Sequence, residues 1–253
     1  MHFFVVKIKY VVFAVLAAVF VGVICLTSGG SVMTFPVGGR EIPIYSVKRD
    51  DNKIALTFDC AWNDDDIDEI IQALKKYDCK ATFFVTGKWA EDYSASLNKL
   101  YRNGFEIGIH SYNHDDYTKM TSEEILKDMQ KCDNAILKAT GGKTMLARVP
   151  SGAYDNNSVY TIEKSGRYCL QWSVDGLDYI DTTEEEIFNR VVSKTQSGDI
   201  ILLHNGTKLT AKVLPSILGK LKQKYEMVNI SDLIYKENFS VDHAGKQSLN
   251  TMY

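Results

Sequence analysis

The feature that most restricts the fold is a repeated alternation of short apolar runs and amphipathic stretches. Runs rich in β-branched and aromatic residues occur at 53–58, 80–85, 105–109, 145–149, 168–174, 199–203 and 225–230, each of strand length. Between them lie helical patterns. Over 66–77, Ile67, Ile70, Ile71 and Leu74 share one face, and over 122–139 the same holds for Ile125, Met129, Ile136 and Leu137. Further helices are expected near 91–102, 156–165, 183–196 and 212–224. Thr121 with Glu124, and Thr183 with Glu186, have the three-residue spacing of a capping box, which fixes two helix starts. Strands separated by helices must run parallel, so the chain is α/β, with either an open doubly wound sheet or a closed barrel.

Charge and composition narrow the function. Lys+Arg number 29 against 32 Asp+Glu, a formal net charge of −3, so the basic excess of a nucleic-acid binder is lacking and no nucleic-acid partner is expected. Tyr10 to Leu26 carry no charge and follow Lys7 and Lys9. As a helix this run would cover about 25 Å, close to a bilayer's hydrocarbon core. Residues 1–30 therefore read as a signal peptide or membrane anchor, with the rest outside the cytoplasm, either secreted or held at the membrane by that helix. Residues 31–46 read as a linker, 47–235 as one domain and 236–253, which lack periodicity, as a flexible tail. The five cysteines form no CxxC pair, and Cys79, Cys132 and Cys169 read as core thiols. The domain is expected to act as a monomer.

Polar residues collect where a parallel sheet gathers ligands, at the strand C-termini. Asp59 ends the first run, His110 the third and Arg148 the fourth; Asp175 and Asp178 follow the fifth, and His204 closes the sixth. His110 and His114 are four residues apart just past a strand, a spacing that suits a divalent metal such as Zn²⁺ held by nitrogen and oxygen. Trp62 and Trp89 read as packing residues, whereas Tyr112, Tyr154 and Tyr179 sit on these loops and offer rings for stacking on sugars.

Leu56-Thr57-Phe58-Asp59, His110-Ser-Tyr-Asn-His114, Arg148-Val-Pro150-Ser151-Gly152, Asp175-Gly-Leu-Asp178-Tyr179 and Leu202-Leu203-His204 stand in this order along residues 47–235. In order and spacing they resemble the NodB-homology polysaccharide deacetylases, carbohydrate esterase family 4, and most of all the sporulation branch that acts on peptidoglycan in Gram-positive spore formers. The resemblance implies a distorted (β/α)7 barrel and metal-assisted hydrolysis of an N-acetyl group on a cell-wall amino sugar. It implies Zn²⁺ as the cofactor, with Co²⁺, Mn²⁺ or Ni²⁺ as alternatives. By the same resemblance Asp59 is the general base, His110 and His114 are metal ligands, and Arg148 holds the base. The Ser151 N–H is an oxyanion donor, His204 the general acid and Asp178 the carboxylate that orients it. Trp172 and Leu202 line the acetyl pocket and groove, with Tyr154 beside the substrate.

One position departs from the family pattern. The family has two consecutive aspartates, base then ligand, and here Cys60 follows Asp59. Three arrangements are open: a Cys60 thiolate as third ligand, an acid reaching back from Asp64, Asp65 or Asp66, or weak metal binding in a catalytically reduced glycan-binding or scaffold protein of the envelope.

Overall fold

A computed structural model describes residues 39–250. The expected signal or anchor over 1–30 lies outside the described residues, as does the first half of the linker, 31–38. Among the described residues no helix is long and apolar enough to cross a membrane.

The central strand is β2 (Lys53–Cys60), the first of the seven apolar runs, preceded by the two-residue β1 (Ser46–Val47). On one side β2 pairs in parallel with β3 (Thr82–Val85), which carries on to β4 (Glu106–Ile109), β5 (Leu146–Ala147) and β6 (Tyr168–Cys169). On the other side lie β8 (Ile200–His204) and then β7 (Val174–Asp175). The seventh run gives β9 (Glu226–Val228), which pairs with the first three residues of β2.

The sheet is a half-barrel of parallel strands flanked by helices, consistent with the distorted (β/α)7 barrel expected above. The run at 168–174 breaks into β6 and β7, which pair with different neighbours. The backbone of Ile44 bonds to Cys169 O and Gln171 N, and Val47 N donates to Gly198 O, so residues 44–47 join the β6 edge to the turn before β8.

Helices α1 (Ile67–Lys76), α2 (Gly87–Asp92), α3 (Ser94–Arg102), α4 (Ser122–Thr140), α5 (Asn156–Lys164), α6 (Glu184–Lys194) and α7 (Thr210–Leu221) connect the strands, and the short α8 (Ile230–Leu233) follows β9. The helix expected over 91–102 is two, α2 and α3. Both expected capping boxes form, at Thr121–Glu124 and Thr183–Glu186. On α4 the inner face is Ile125, Asp128, Met129, Cys132, Ala135 and Ile136, whereas Leu137 is exposed.

The two-residue period of the strands splits the core into two layers. Leu56, Phe58, Cys60, Phe83, Val85, Ile201 and Leu203 pack with the helices, Phe58 stacked on Phe83 at 4.9 Å between centroids. Ala55, Phe84, Leu146, Leu170 and Ile200 form the other layer with Ile44, Ile230 and Leu233.

The tail also departs from expectation. Residues 236–250 are folded as β10 (Phe239–Val241) and β11 (Lys246–Leu249), an antiparallel pair whose second strand runs parallel to β1. Fully buried Gln247 accepts from Tyr235 N and donates to Tyr235 O, both at 2.8 Å, fastening the hairpin to the end of the barrel.

Candidate active site

Asp59 and His204 are register partners on β2 and β8, so the parallel pairing alone sets the two groups side by side. Thr57 and Leu202, two residues earlier on the same strands, are likewise paired. Arg148, just past β5, is fully buried and donates from Nη1 to Asp59 Oδ1 (2.6 Å) and Thr57 Oγ1 (3.0 Å), and from Nη2 to Gln171 O (3.0 Å). Its guanidinium lies 4.1 Å from the Phe84 ring centroid and 5.6 Å from that of Trp172. The Phe84 ring occupies the space of an absent side chain: a Cβ on Gly108 would stand 2.5 Å from Phe84 Cδ1. Burial alone would raise the Asp59 carboxyl, but the charges of Arg148, His110 and His204 outweigh it and hold it below the ordinary carboxylate range.

His110 directly follows β4 and is buried. Its Nδ1 lies 3.0 Å from the carbonyl of Arg148, so Nδ1 carries the proton and Nε2 the lone pair. Desolvation brings its pKa down to about 4, against a smaller upward pull from Asp59, so the ring is neutral near pH 7. His110 Nε2 lies 3.4 Å from Asp59 Oδ2. Two acceptors, a lone pair and an ionised carboxylate, thus face each other in a buried place with no hydrogen between them, an arrangement that a cation relieves.

His114 lies at the exposed rim, its ring centroid 4.9 Å from that of His110. The loop between them holds left-handed backbone at Ser111 (φ 63°) and His114 (φ 66°). It is pinned from α4: both oxygens of Asp128 accept from Tyr112 N (3.0 and 3.1 Å), and Tyr117 Oη donates to Asp128 Oδ1 at 2.5 Å.

At the acid end, Asp178 is buried and holds His204 twice, accepting from its backbone N at Oδ2 (2.7 Å) and from ring Nδ1 at Oδ1 (2.8 Å). Thr210 Oγ1 also donates to Asp178 Oδ2. Nε2 of His204 is left for other work. Desolvation pulls the imidazole pKa down, but the bond to Asp178 and the charges of Asp178, Asp59 and Asp175 prevail, so it stands above its ordinary value.

The other expected residues fall as follows. Ser151 is exposed, with left-handed backbone (φ 55°, ψ 14°) in the short turn after Arg148. Leu202 is buried, and Trp172, half-buried, lies where a Cβ on Gly152 would touch it at 3.0 Å. Tyr154 packs edge-on against Tyr45 at 6.4 Å and under Arg40. Tyr112 donates to Glu91 Oε2 at 2.8 Å.

Cys60 is not brought to the cluster. One position beyond Asp59 on a strand, it points to the opposite face, into the apolar layer beneath the helices, and burial and the charges of Asp59 and Asp66 push its thiol pKa well up. Asp64 accepts from Ser96 Oγ at 2.6 Å and Asp65 is exposed, while both oxygens of Asp66 accept from Gly206 N at 2.9 Å. Among the described residues no group of three or more His, Cys, Asp or Glu is arranged to hold a metal ion.

Two residues that the sequence did not single out as functional belong to the site. Trp62, expected to be a packing residue, is 48% exposed, its ring 5.4 Å from that of His204. Gln171 is buried beside Gly152, and its side-chain amide has no hydrogen-bond partner among the described residues. Nothing in a hydrophobicity pattern distinguishes either from a core residue.

Residues 46–170 match the model of the polysaccharide deacetylase family. The peptidoglycan-N-acetylglucosamine deacetylase of Bacillus cereus is 30% identical over 197 residues, which cover 75% of this chain and 92% of that protein. The chain belongs to the polysaccharide deacetylase family. It is also 30% identical to the uncharacterized protein YlxY of Bacillus subtilis over 76% of its length, and spans 60% of the length of YlxY. Among solved structures, a carbohydrate esterase family 4 pseudoenzyme from Bacillus anthracis superposes with a TM-score of 0.74 at 29% identity, covering 83% of this chain and 74% of that one.

Proposed function

We propose that this protein is a divalent-metal-dependent deacetylase that hydrolyses N-acetyl groups on amino sugars of peptidoglycan, outside the cytoplasm. The observation that carries the reading is the adjacency of two oppositely tuned groups. Asp59 is held ionised by Arg148, and His204, its neighbour across the β2–β8 pairing, is held protonatable by Asp178. Amide hydrolysis needs both, a base for the attacking water and an acid for the leaving amine.

Asp59 Oδ2, the oxygen not taken by Arg148, accepts the proton of the water that attacks the acetamide carbon. Arg148 restricts the carboxylate to one orientation and keeps it charged. As the tetrahedral centre forms, the N–H of Ser151 donates to the developing oxyanion, and Leu202 and Trp172 enclose the methyl group. Collapse expels the amine, which takes the proton from His204 Nε2 while Nδ1–H remains on Asp178. His110 and His114 would hold the metal beside Asp59, whose negative charge favours a cation there while its Oδ2 serves as the base; Zn²⁺ suits imidazole donors. When bound, it supplies Lewis acidity that lowers the pKa of water and polarises the acetamide carbonyl.

A second reading has its own support. With Cys60 turned into the core, this chain has one carboxylate fewer toward the metal than the family pattern, and a structural neighbour is itself a pseudoenzyme. On that reading the protein binds envelope glycan without turnover. Acetate release from purified peptidoglycan by the full chain in detergent, with metal content measured on the same sample, decides between them. Stoichiometric metal with turnover supports the enzyme; glycan binding without acetate at any metal loading overturns it.

A further inference from the structure

Trp62 stands out because its loop is rigid where the residue itself is exposed. Asn63 O, directly after it, accepts from Trp89 Nε1 at 3.1 Å and from the fully buried Asn205 Nδ2 at 2.5 Å. Three residues further on, Asp66 takes Gly206 N on both carboxylate oxygens. Gly206 has φ +69°, and a Cβ there would stand 2.6 Å from Asn63 Oδ1 and 3.2 Å from Trp62 Cβ. The loop that carries Trp62 and the loop that follows His204 are therefore clasped together. An indole half open to water and mounted so firmly contributes little to the core, but offers a preorganised apolar face at low entropic cost.

The chemistry of the site says what meets that face. The leaving nitrogen is bonded directly to a sugar carbon, at about 1.5 Å, and must come within hydrogen-bond reach of His204 Nε2, about 3 Å. The sugar ring thus begins about 4–5 Å from the imidazole nitrogen, the same shell in which the indole lies, at 5.4 Å between ring centroids. Tyr179 also borders His204, at 4.9 Å, but crosses it at 69° and presents an edge, whereas Trp62 is tilted by only 35° and lies more nearly alongside.

We infer that Trp62 is the platform on which the pyranose ring stacks while His204 serves its amine. The inference rests on the deacetylase reading for the placement of the amine and adds to it a positioning residue for the sugar.

The test uses the full chain in detergent micelles with a β-1,4-linked N-acetylglucosamine tetramer. Tryptophan emission followed during titration reports binding without turnover, and acetate release reports catalysis. With the tetramer the emission shifts to the blue, and the shift is lost in Trp62→Phe. Trp62→Ala raises KM about tenfold with a smaller change in kcat, and Trp62→Phe falls between it and the parent. Acetate release by Trp62→Ala at the parent's KM, or an emission shift that survives in Trp62→Phe, overturns the inference and leaves the deacetylase reading intact. A Trp62-dependent shift with no acetate released by the parent upholds the platform and overturns the deacetylase reading. Neither shift nor acetate overturns both.

Discussion

Replacing Arg148 with methionine removes one charge from a buried pair while nearly conserving side-chain volume. Arg148 is 0% exposed and the Asp59 side chain 6%, so water cannot take the place of the lost guanidinium. The substitution leaves Asp59 Oδ1 and Gln171 O without their donor and Thr57 Oγ1 without one of its bonds. Removing one partner of such a pair costs about 3–5 kcal/mol, which in a domain of this size lowers Tm by about 6–20 °C. The loss depends on pH in a defined sense. In the parent, Asp59 has a folded pKa below its unfolded one, so its contribution is present above the unfolded value of about 3.9 and is lost as pH falls through the folded value. In the variant burial is no longer offset and the folded pKa rises, so the penalty is small near the unfolded pKa and grows as pH rises from there. Urea unfolding followed by circular dichroism, with metal chelated, should therefore show a parent–variant gap several times wider at neutral pH than at about pH 4. Arg148→Met combined with Asp59→Leu should recover most of the loss, because no buried charge is then left alone. A gap below about 1 kcal/mol at neutral pH, or one equally wide at both pH values, would refute a buried, mutually dependent pair.

Further outcomes follow from the same geometry. Asp178→Asn removes the anion that raises His204, so the alkaline limb of the kcat–pH profile, where the protonated acid is lost, should move to lower pH; a limb that stays in place would show that His204 is not the acid. Cys60→Ala should cost about 1–2 kcal/mol through a small core cavity and leave metal content unchanged, as metal analysis and denaturant titration will show. His110→Ala should strip the protein of metal while the far-ultraviolet spectrum is retained; retention of stoichiometric metal would remove His110 from the ligand set.

Much of the fold was legible because parallel sheets write themselves twice, as apolar strand runs and as helical periodicity. The sites at Asp59 and His204 were readable from strand ends alone, and β2–β8 pairing then makes them neighbours. The orientation of Cys60 was also within reach, since residues adjacent on a strand face opposite sides. The break between β6 and β7 was not, because Leu170 is buried in its own right and keeps the 168–174 run apolar through the interruption. The terminal hairpin was illegible for another reason. Its strands bury little apolar surface, and its attachment depends on the amide of one glutamine, which no hydropathy pattern marks. Trp62 was misjudged because tryptophan is usually an inside residue, and only its exposure in the folded chain shows otherwise.

The pairing of β1 with β11 has a consequence for how the chain is made. Ser46 finds its partner in Lys246, 200 positions later, so β1 must wait for a segment synthesised long after it. Such distant closure is slow to form and comes late. The parallel sheet can begin to assemble beforehand, yet residues 44–47 are not fastened to the terminal hairpin until Lys246–Leu249 is available.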